Sequence, residues 1–220
     1  MIPTGATADP LDPDPQDPLT RSTPTRRTPT GTTPTVMTAD PPASRPLLIV
    51  MAGLPGSGKS TLAGDVARAL AAPVLGVDPI EAALYRSGIE RDQPAGLAAY
   101  VVAEALAAEQ LALGMTVVID AVNDAVPARQ QWIDLAQRSG VEVRFLEVRC
   151  SDERVHRARL RARQRNLGDF REPTWESVEQ RRAGFDGWVQ PRLRLDAMAD
   201  RAHNLRAALL YLERDIRMAE

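Results

Sequence analysis

The stretch Pro46-Leu47-Leu48-Ile49-Val50-Met51-Ala52-Gly53-Leu54-Pro55-Gly56-Ser57-Gly58-Lys59-Ser60-Thr61 decides how the rest of the chain is read. Its first half is a continuous apolar run, the pattern of a strand buried on both faces. Glycines follow at once, and beyond them Leu62, Val66 and Leu70 recur at helical spacing. The order is therefore strand, glycine-rich loop, helix. Gly53, Gly58, Lys59 and Ser60 satisfy the spacing Gly-x-x-x-x-Gly-Lys-Ser, in which backbone N–H groups and a helix N-terminus surround an anion. The loop formed by Gly53, Leu54, Pro55, Gly56, Ser57, Gly58, Lys59, Ser60 and Thr61 is expected to hold the phosphates of ATP. Lys59 would reach the β- and γ-phosphates, and Ser60 would offer its hydroxyl to Mg2+. Thr61 lies within reach of the α-phosphate. An accidental glycine-rich turn would not need the buried strand before it or the amphipathic helix after it.

Outward from the loop the same alternation continues. Pro73 to Val77 reads as a short second strand ending at Asp78, with Pro79 able to open a helix. Leu97 to Leu113 reads as a helix stopped by Gly114. Met115 to Ile119 is a third buried strand that terminates at Asp120, and Ala125 to Ser139 is a helix ended by Gly140. Val141 to Val148 gives a fourth strand. The segments after Ser151 and from Thr174 to Trp188 read as helices, and Leu193-Arg194-Leu195 as a weak fifth strand. A closing helix carries Leu205, Leu209, Leu212 and Ile216 on one face. Strands alternating with helices predict an α/β fold, a mostly parallel sheet covered on both faces, with ligands at the carboxyl ends of the strands. The loop, Asp78 and Asp120 all fall at such ends.

The 220 residues suit one compact domain with an appendage. Residues 1–45 are dominated by Pro, Thr, Asp and Arg and are expected to form a disordered extension, either inert or a docking or phosphorylation tail. Met37 offers a second place for translation to begin. Residues 46–220 are then the folded domain, with a lid over about 151–190. A net charge of -2 gives no basic field toward nucleic acid or membrane, and 4% aromatic content is low for a protein that stacks many bases. Cys150 is the sole cysteine, which excludes an intramolecular disulfide and a thiol-based zinc site and suits a cytoplasmic setting. No apolar run is expected to reach the roughly 20 residues of a membrane span, and the amino terminus has no targeting pattern.

Several side chains carry candidate chemistry. Asp120 ends an apolar strand where a carboxylate can hold Mg2+ directly or through water. Asp78 can accept the proton of an attacking hydroxyl, cap the following helix, or do both. Glu81, one turn on, could also face the acceptor. Between Arg154 and Arg165 six arginines recur, and at about 100° per residue Arg154, Arg157, Arg161 and Arg165 share one helical face while Arg159 and Arg163 lie nearly opposite. Arg159 and Arg163 are assigned to a lid over the phosphates and the other four to a solvated face, although the inward set could be the reverse. His156 and His203 stand apart from any ligand spacing and read as surface or structural residues. Trp132, Trp175 and Trp188 are expected to pack the core or the lid.

Together Gly53 to Thr61, Gly76-Val77-Asp78, Val118-Ile119-Asp120, Arg129 and Arg159-Leu160-Arg161-Ala162-Arg163 resemble the P-loop kinases. That group includes the AAA_33-type proteins, chloramphenicol phosphotransferase and the kinase domain of polynucleotide kinase, and the likeness covers roughly residues 46 to 215. The resemblance implies the P-loop NTPase three-layer fold with a five-stranded parallel sheet in the order 2-3-1-4-5, a mobile helical lid, Mg-ATP as donor and Asp78 as base. Val77-Asp78-Pro79-Ile80-Glu81-Ala82 is similar to the matching segment of the chloramphenicol enzyme, which suggests a hydroxyl-bearing small molecule as acceptor. Polynucleotide kinases carry an arginine three residues after this aspartate. Here that position is Glu81, whose charge repels a phosphorylated strand end and disfavours nucleic acid. The leading reading is an ATP-dependent phosphotransferase acting on a small-molecule hydroxyl. A regulatory switch ATPase and a polynucleotide 5'-hydroxyl kinase are the alternatives.

Overall fold

The computed structural model describes residues 45–163, 167–168 and 170–213. The expectations for residues 1–44, Met37 included, and for Arg165 and Ile216 lie outside these. The apolar run forms β1 (Leu47–Ala52), and its last five residues are fully buried. A strand with no polar side chain must be covered on both faces, and β1 accordingly takes the centre of a five-stranded sheet. The order is β2 (Val74–Gly76), β3 (Val117–Asp120), β1, β4 (Glu142–Arg149), β5 (Arg192–Asp196), with every pair parallel. This is the 2-3-1-4-5 arrangement expected from the resemblance. At the edge, β5 reads Arg-Leu-Arg-Leu-Asp, the alternation of a strand with one face open.

Alternate residues of β1 feed two separate cores, which sets the three layers. Leu48, Val50 and Ala52 pack with α3 (Ala95–Ala112) and α4 (Val126–Ser139) through Ala99, Ala103, Trp132 and Leu135. Ile49 and Met51 pack on the opposite face with α1 (Lys59–Leu70) and α7 (Arg201–Glu213) through Leu62, Val66, Ala208 and Leu212. Between β2 and α3 lies α2 (Val77–Arg86), and α5 (Glu153–Arg161) and α6 (Trp175–Arg182) join β4 to β5.

Four expectations change. The arginine-rich helix is short: α5 ends at Arg161 with Ala162 as its cap, so Arg163 lies beyond it. The helix expected over Thr174 to Trp188 ends at Arg182 and tightens into a 3-10 turn over Ala183–Phe185, because Gly184 and Gly187 follow. Trp188 then stands edge-on to Phe145 with ring centres 5.4 Å apart. In α7 the buried stripe is Asn204, Ala208 and Leu212, with Leu205 and Leu209 half-buried beside it. Asn204 is drawn inward by donating its amide to the Asp196 carbonyl at 2.8 Å. Finally, α3 is 18 residues long with a mean hydropathy of 1.2, long and apolar enough by those measures alone to cross a membrane. Its Ala95, Ala99, Ala103, Ala107 and Leu111 are buried as in a core helix.

Between α1 and α7, Arg201 donates two hydrogen bonds to Asp65, both 2.6 Å. These bonds from Arg201, with help from Arg68, hold the Asp65 carboxyl below its ordinary range against the opposing effect of burial. A carboxylate whose folded pKa is depressed stabilises the fold above its unfolded value, and that contribution is lost as pH falls through the folded value. Thermal melts below about pH 4 are therefore expected to fall more steeply for the parent than for Asp65→Asn. Parallel curves would remove Asp65 from the acid response.

Candidate active site

The sheet register brings the chemistry together. Gly76 of β2, Asp120 of β3, Met51 of β1 and Leu146 of β4 lie abreast. The exits of three strands, carrying Asp78, Asp120 and the glycine-rich loop, therefore open on one side of the sheet. Gly53 leaves β1 with φ 143°, donating its N–H to the Val122 carbonyl at 3.1 Å. A Cβ there would stand 2.3 Å from the Val148 carbonyl oxygen and 2.8 Å from Ser57 Oγ, so this position admits only glycine. The loop tightens further through Ser57 N–H to the Leu54 carbonyl at 3.0 Å.

Lys59, only 4% exposed, places Nζ 3.4 Å from Asp120 Oδ1. That Asp120 oxygen is buried and accepts no hydrogen bond among the described residues, and the same holds for Ser57 Oγ as donor or acceptor. Ser60 and Thr61 lie exposed in the first turn of α1. A strand-end carboxylate whose buried oxygen accepts no hydrogen bond, on the same loop side as the Ser60 hydroxyl, fits Mg2+, an ion that keeps several waters and completes its shell on phosphates. No group of three His, Cys, Asp or Glu suited to a metal occurs among the described residues.

Asp78 is half-buried in the first turn of α2. The N-cap is Gly76, with no side-chain cap, so the capping reading of Asp78 is corrected: the helix starts one residue early, at Val77. Asp78 Oδ2 instead accepts from Arg163 Nη2 at 3.3 Å, and Arg163 also faces Glu172 at 3.7 Å. Arg159 points elsewhere, donating to the Ala197 carbonyl at 3.2 Å. The two arginines that one helical face would align thus separate, because α5 ends between them. Both still border a cleft of about 460 Å³ with Gly56, Lys59, Ser60 and Thr61. Arg154, Arg157, Arg159 and Arg161 are all exposed, so exposure does not set Arg159 apart from the other three, and Arg157 stacks 4.5 Å over Trp175. A larger cleft of about 1050 Å³ lies on the other flank of Gly53 and Leu54, between the ends of β4 and β5 and the 3-10 turn. Asp78 lines neither cleft; Arg163 sits over it.

A buried polar frame holds the segment after Asp120. Asn123, fully buried with φ 54°, donates to the Met51 carbonyl at 2.7 Å and accepts from Trp132 Nε1 at 2.9 Å. Arg129 Nη1 donates to the carbonyls of Asn123, Asp124 and Gly184 at 3.1, 2.7 and 3.1 Å. A Cβ at Gly184 would meet the Asp124 carbonyl oxygen at 2.5 Å, so the 3-10 turn can lie this close only as glycine. The Asn123 N–H reaches the Tyr100 hydroxyl at 3.4 Å. Burial first, then the charges of Asp124 and Asp78, push Tyr100 up to about 12 and keep it protonated. Glu81 accepts from the Tyr85 hydroxyl at 3.0 Å.

Of the surface and structural readings of His156, the structure gives the structural one. The residue is 2% exposed, its Nε2 is 2.8 Å from the Pro55 carbonyl, and its ring meets Trp175 edge-on at 5.2 Å. A carbonyl only accepts, so Nε2 carries the proton and donates. His156 therefore fastens α5 and α6 to the loop. His203 is exposed.

The sequence profile of the AAA_33 family, an AAA domain, matches residues 48–187. The chain belongs to the AAA_33 family. Over 106 residues this AAA_33 domain is 30% identical to the bifunctional polynucleotide phosphatase/kinase of Schizosaccharomyces pombe, covering 48% of the chain but only 22% of that relative's length. Among solved structures it is similar to a Chloroflexus aurantiacus protein assigned to the kinases, at 18% identity and TM-score 0.63, covering 77% of this chain and all of the other. It is also similar to the APS kinase of Mycobacterium tuberculosis in complex with AMPPNP and APS, at 18% identity and TM-score 0.54, covering 77% and 99%. At these identities the structural likeness establishes the common fold of the AAA_33 chain and the kinases.

Proposed function

We propose that this AAA_33 protein transfers the γ-phosphoryl group of ATP to a hydroxyl group of a small molecule. The observation that carries this reading is the convergence at three strand ends of a phosphate loop with buried Lys59, the Asp78 carboxylate in the first turn of α2, and the Asp120 carboxylate paired with Lys59. ATP would occupy the cleft lined by Gly56, Gly58, Lys59, Ser60 and Thr61, where loop N–H groups and a helix N-terminus favour an anion. Ser60 and Asp120 would hold Mg2+, which when bound would neutralise charge on the phosphates. Asp78 takes the acceptor's proton as the acceptor oxygen bonds to the γ-phosphorus and the bond to the β,γ-bridging oxygen breaks, releasing ADP. Lys59 offsets the charge left on that oxygen. Arg163 moves from Asp78 to the incoming phosphates, which uncovers the carboxylate for the acceptor.

The likeness to a polynucleotide phosphatase/kinase favours a second reading, phosphorylation of a nucleic-acid end. Against it, Glu81 stands three residues after the base, where a carboxylate repels a phosphorylated strand end and suits a neutral or cationic acceptor. Incubating the protein with labelled ATP, a panel of hydroxyl-bearing metabolites and antibiotics, and 5'-hydroxyl oligonucleotides separates the two by mass spectrometry. Label in a small molecule is expected. Label in the oligonucleotides alone would overturn the acceptor class.

The anchoring of the loop by His156 adds its own expectation. Losing one buried hydrogen bond, His156→Ala should weaken Mg-ATP binding by a factor of roughly 5 to 15, measured by calorimetry. His156→Gln, which can still donate, should recover most of that loss. Unchanged affinity in the alanine variant would show that the loop holds its shape without the lid.

A further inference from the structure

Helix α3 turns an apolar face to solvent that no other described element covers. Leu97, Val101, Val102, Leu106 and, just past the helix end, Leu113 keep 65, 56, 37, 44 and 73% of their surface exposed. Glu109 is the only charged residue at the exposed positions of the helix. An apolar face of this extent on a helix that already buries its opposite stripe calls for a cover.

We propose that the cover is a second copy of this chain, with the two α3 helices antiparallel about a two-fold axis at Ala105. Three observations select that occupant. The five large side chains expose on the order of 450 Å² per copy, close to the apolar share of the roughly 800 Å² that each partner buries in a standard interface. At about 100° per residue, Leu97 and Val101 fall on one flank of the face and Val102, Leu106 and Leu113 on the other, with Glu109 beside Val102. Ala98, Ala105 and Ala112 fall seven residues apart between the flanks, so in an isologous pair the two backbones approach closely along that row and Val102 and Leu106, nearest the axis, interlock with their own counterparts.

Other occupants fit less well. A helix lying on an anionic membrane carries Lys or Arg along its border, whereas α3 contains Glu104 and Glu109 and no cationic residue. The residues before β1 offer large aliphatic side chains only at Met1, Ile2, Leu11, Leu19, Val36 and Met37, too sparse to match a face five helical turns long.

Sedimentation equilibrium of the full chain is expected to give a dimer in the micromolar range. Val101→Arg should shift it to monomer, raising the dimer dissociation constant at least a hundredfold with the circular dichroism spectrum unchanged. A second test does not depend on destabilising anything. In a Cys150→Ser background, Ala105→Cys sits on the axis and should form a disulfide-linked dimer on mild oxidation, its Cα atoms within about 7 Å. Glu109→Cys in the same background, a full helical turn from the axis, should crosslink at least tenfold more slowly. A parent that stays monomeric at 100-fold higher concentration, a dimer that Val101→Arg leaves intact, equal crosslinking of the two cysteine variants, or binding of the parent to anionic vesicles through this face would each overturn the proposal.

Discussion

Asp78→Asn is expected to lower the rate of phosphoryl transfer by a factor of about 10² to 10⁴ while leaving the dissociation constant of Mg-ATP within about twofold of the parent. The substitution is nearly isosteric. Its amide oxygen can still accept from Arg163, which Asp78 Oδ2 meets at 3.3 Å, so the surrounding geometry is kept while proton acceptance is lost. Neither Asp78 nor its helix contributes to the cleft beside the phosphate loop, which is why nucleotide affinity should survive. Single-turnover transfer and calorimetry on the same preparation separate the two effects. Equal loss in both would make Asp78 a part of the nucleotide site, and parental transfer would remove it as the base.

The second large effect is at Lys59. Lys59→Met should reduce kcat/KM by a factor of about 10³, because it deletes the ammonium group proposed to offset charge on the phosphates. Lys59 is also the only lysine in the sequence. An amine-reactive acyl-phosphate analogue of ATP should therefore modify the parent at one side chain, ATP should protect against it, and the methionine variant should take no label at a side chain. Because Asp120 Oδ1 lies 3.4 Å from Lys59 Nζ, the single variant leaves a buried carboxylate without its cation. Adding Asp120→Asn should restore thermal stability but not turnover, which distinguishes a catalytic loss from a folding one.

Much of this fold was legible because buried parallel strands are written as unbroken apolar runs that stop at candidate site residues: Leu47 to Ala52 before the loop, Val117 to Ile119 before Asp120. The strand order followed from the resemblance carried by those motifs. What escaped the sequence are partners far apart in the chain. His156 and the Pro55 carbonyl are 101 residues apart, and nothing near His156 marks it as the support of a loop. Arg129 was visible only as one arginine of a familiar pattern, whereas its bonds to three carbonyls require the 3-10 turn at Gly184 to have come across the sheet. The pairing of Arg159 with Arg163 on one face assumed a helix through Arg165, and no glycine or proline warns that α5 ends at Arg161. Asp78 looked like a cap because Pro79 suits a first helical position, but proline is tolerated throughout the first turn, and α2 begins at Val77.

The fate of the γ-phosphoryl group tests the proposed activity most directly. With ATP labelled by oxygen-18 at the γ-phosphate, mass spectrometry of the reaction mixture should find the label in a phosphorylated small molecule, in amounts matching the ADP formed and dependent on Asp78. ADP and labelled free phosphate in equal amounts, with no labelled acceptor from any hydroxyl compound supplied, would contradict phosphotransfer and leave a nucleotide-hydrolysing switch in its place.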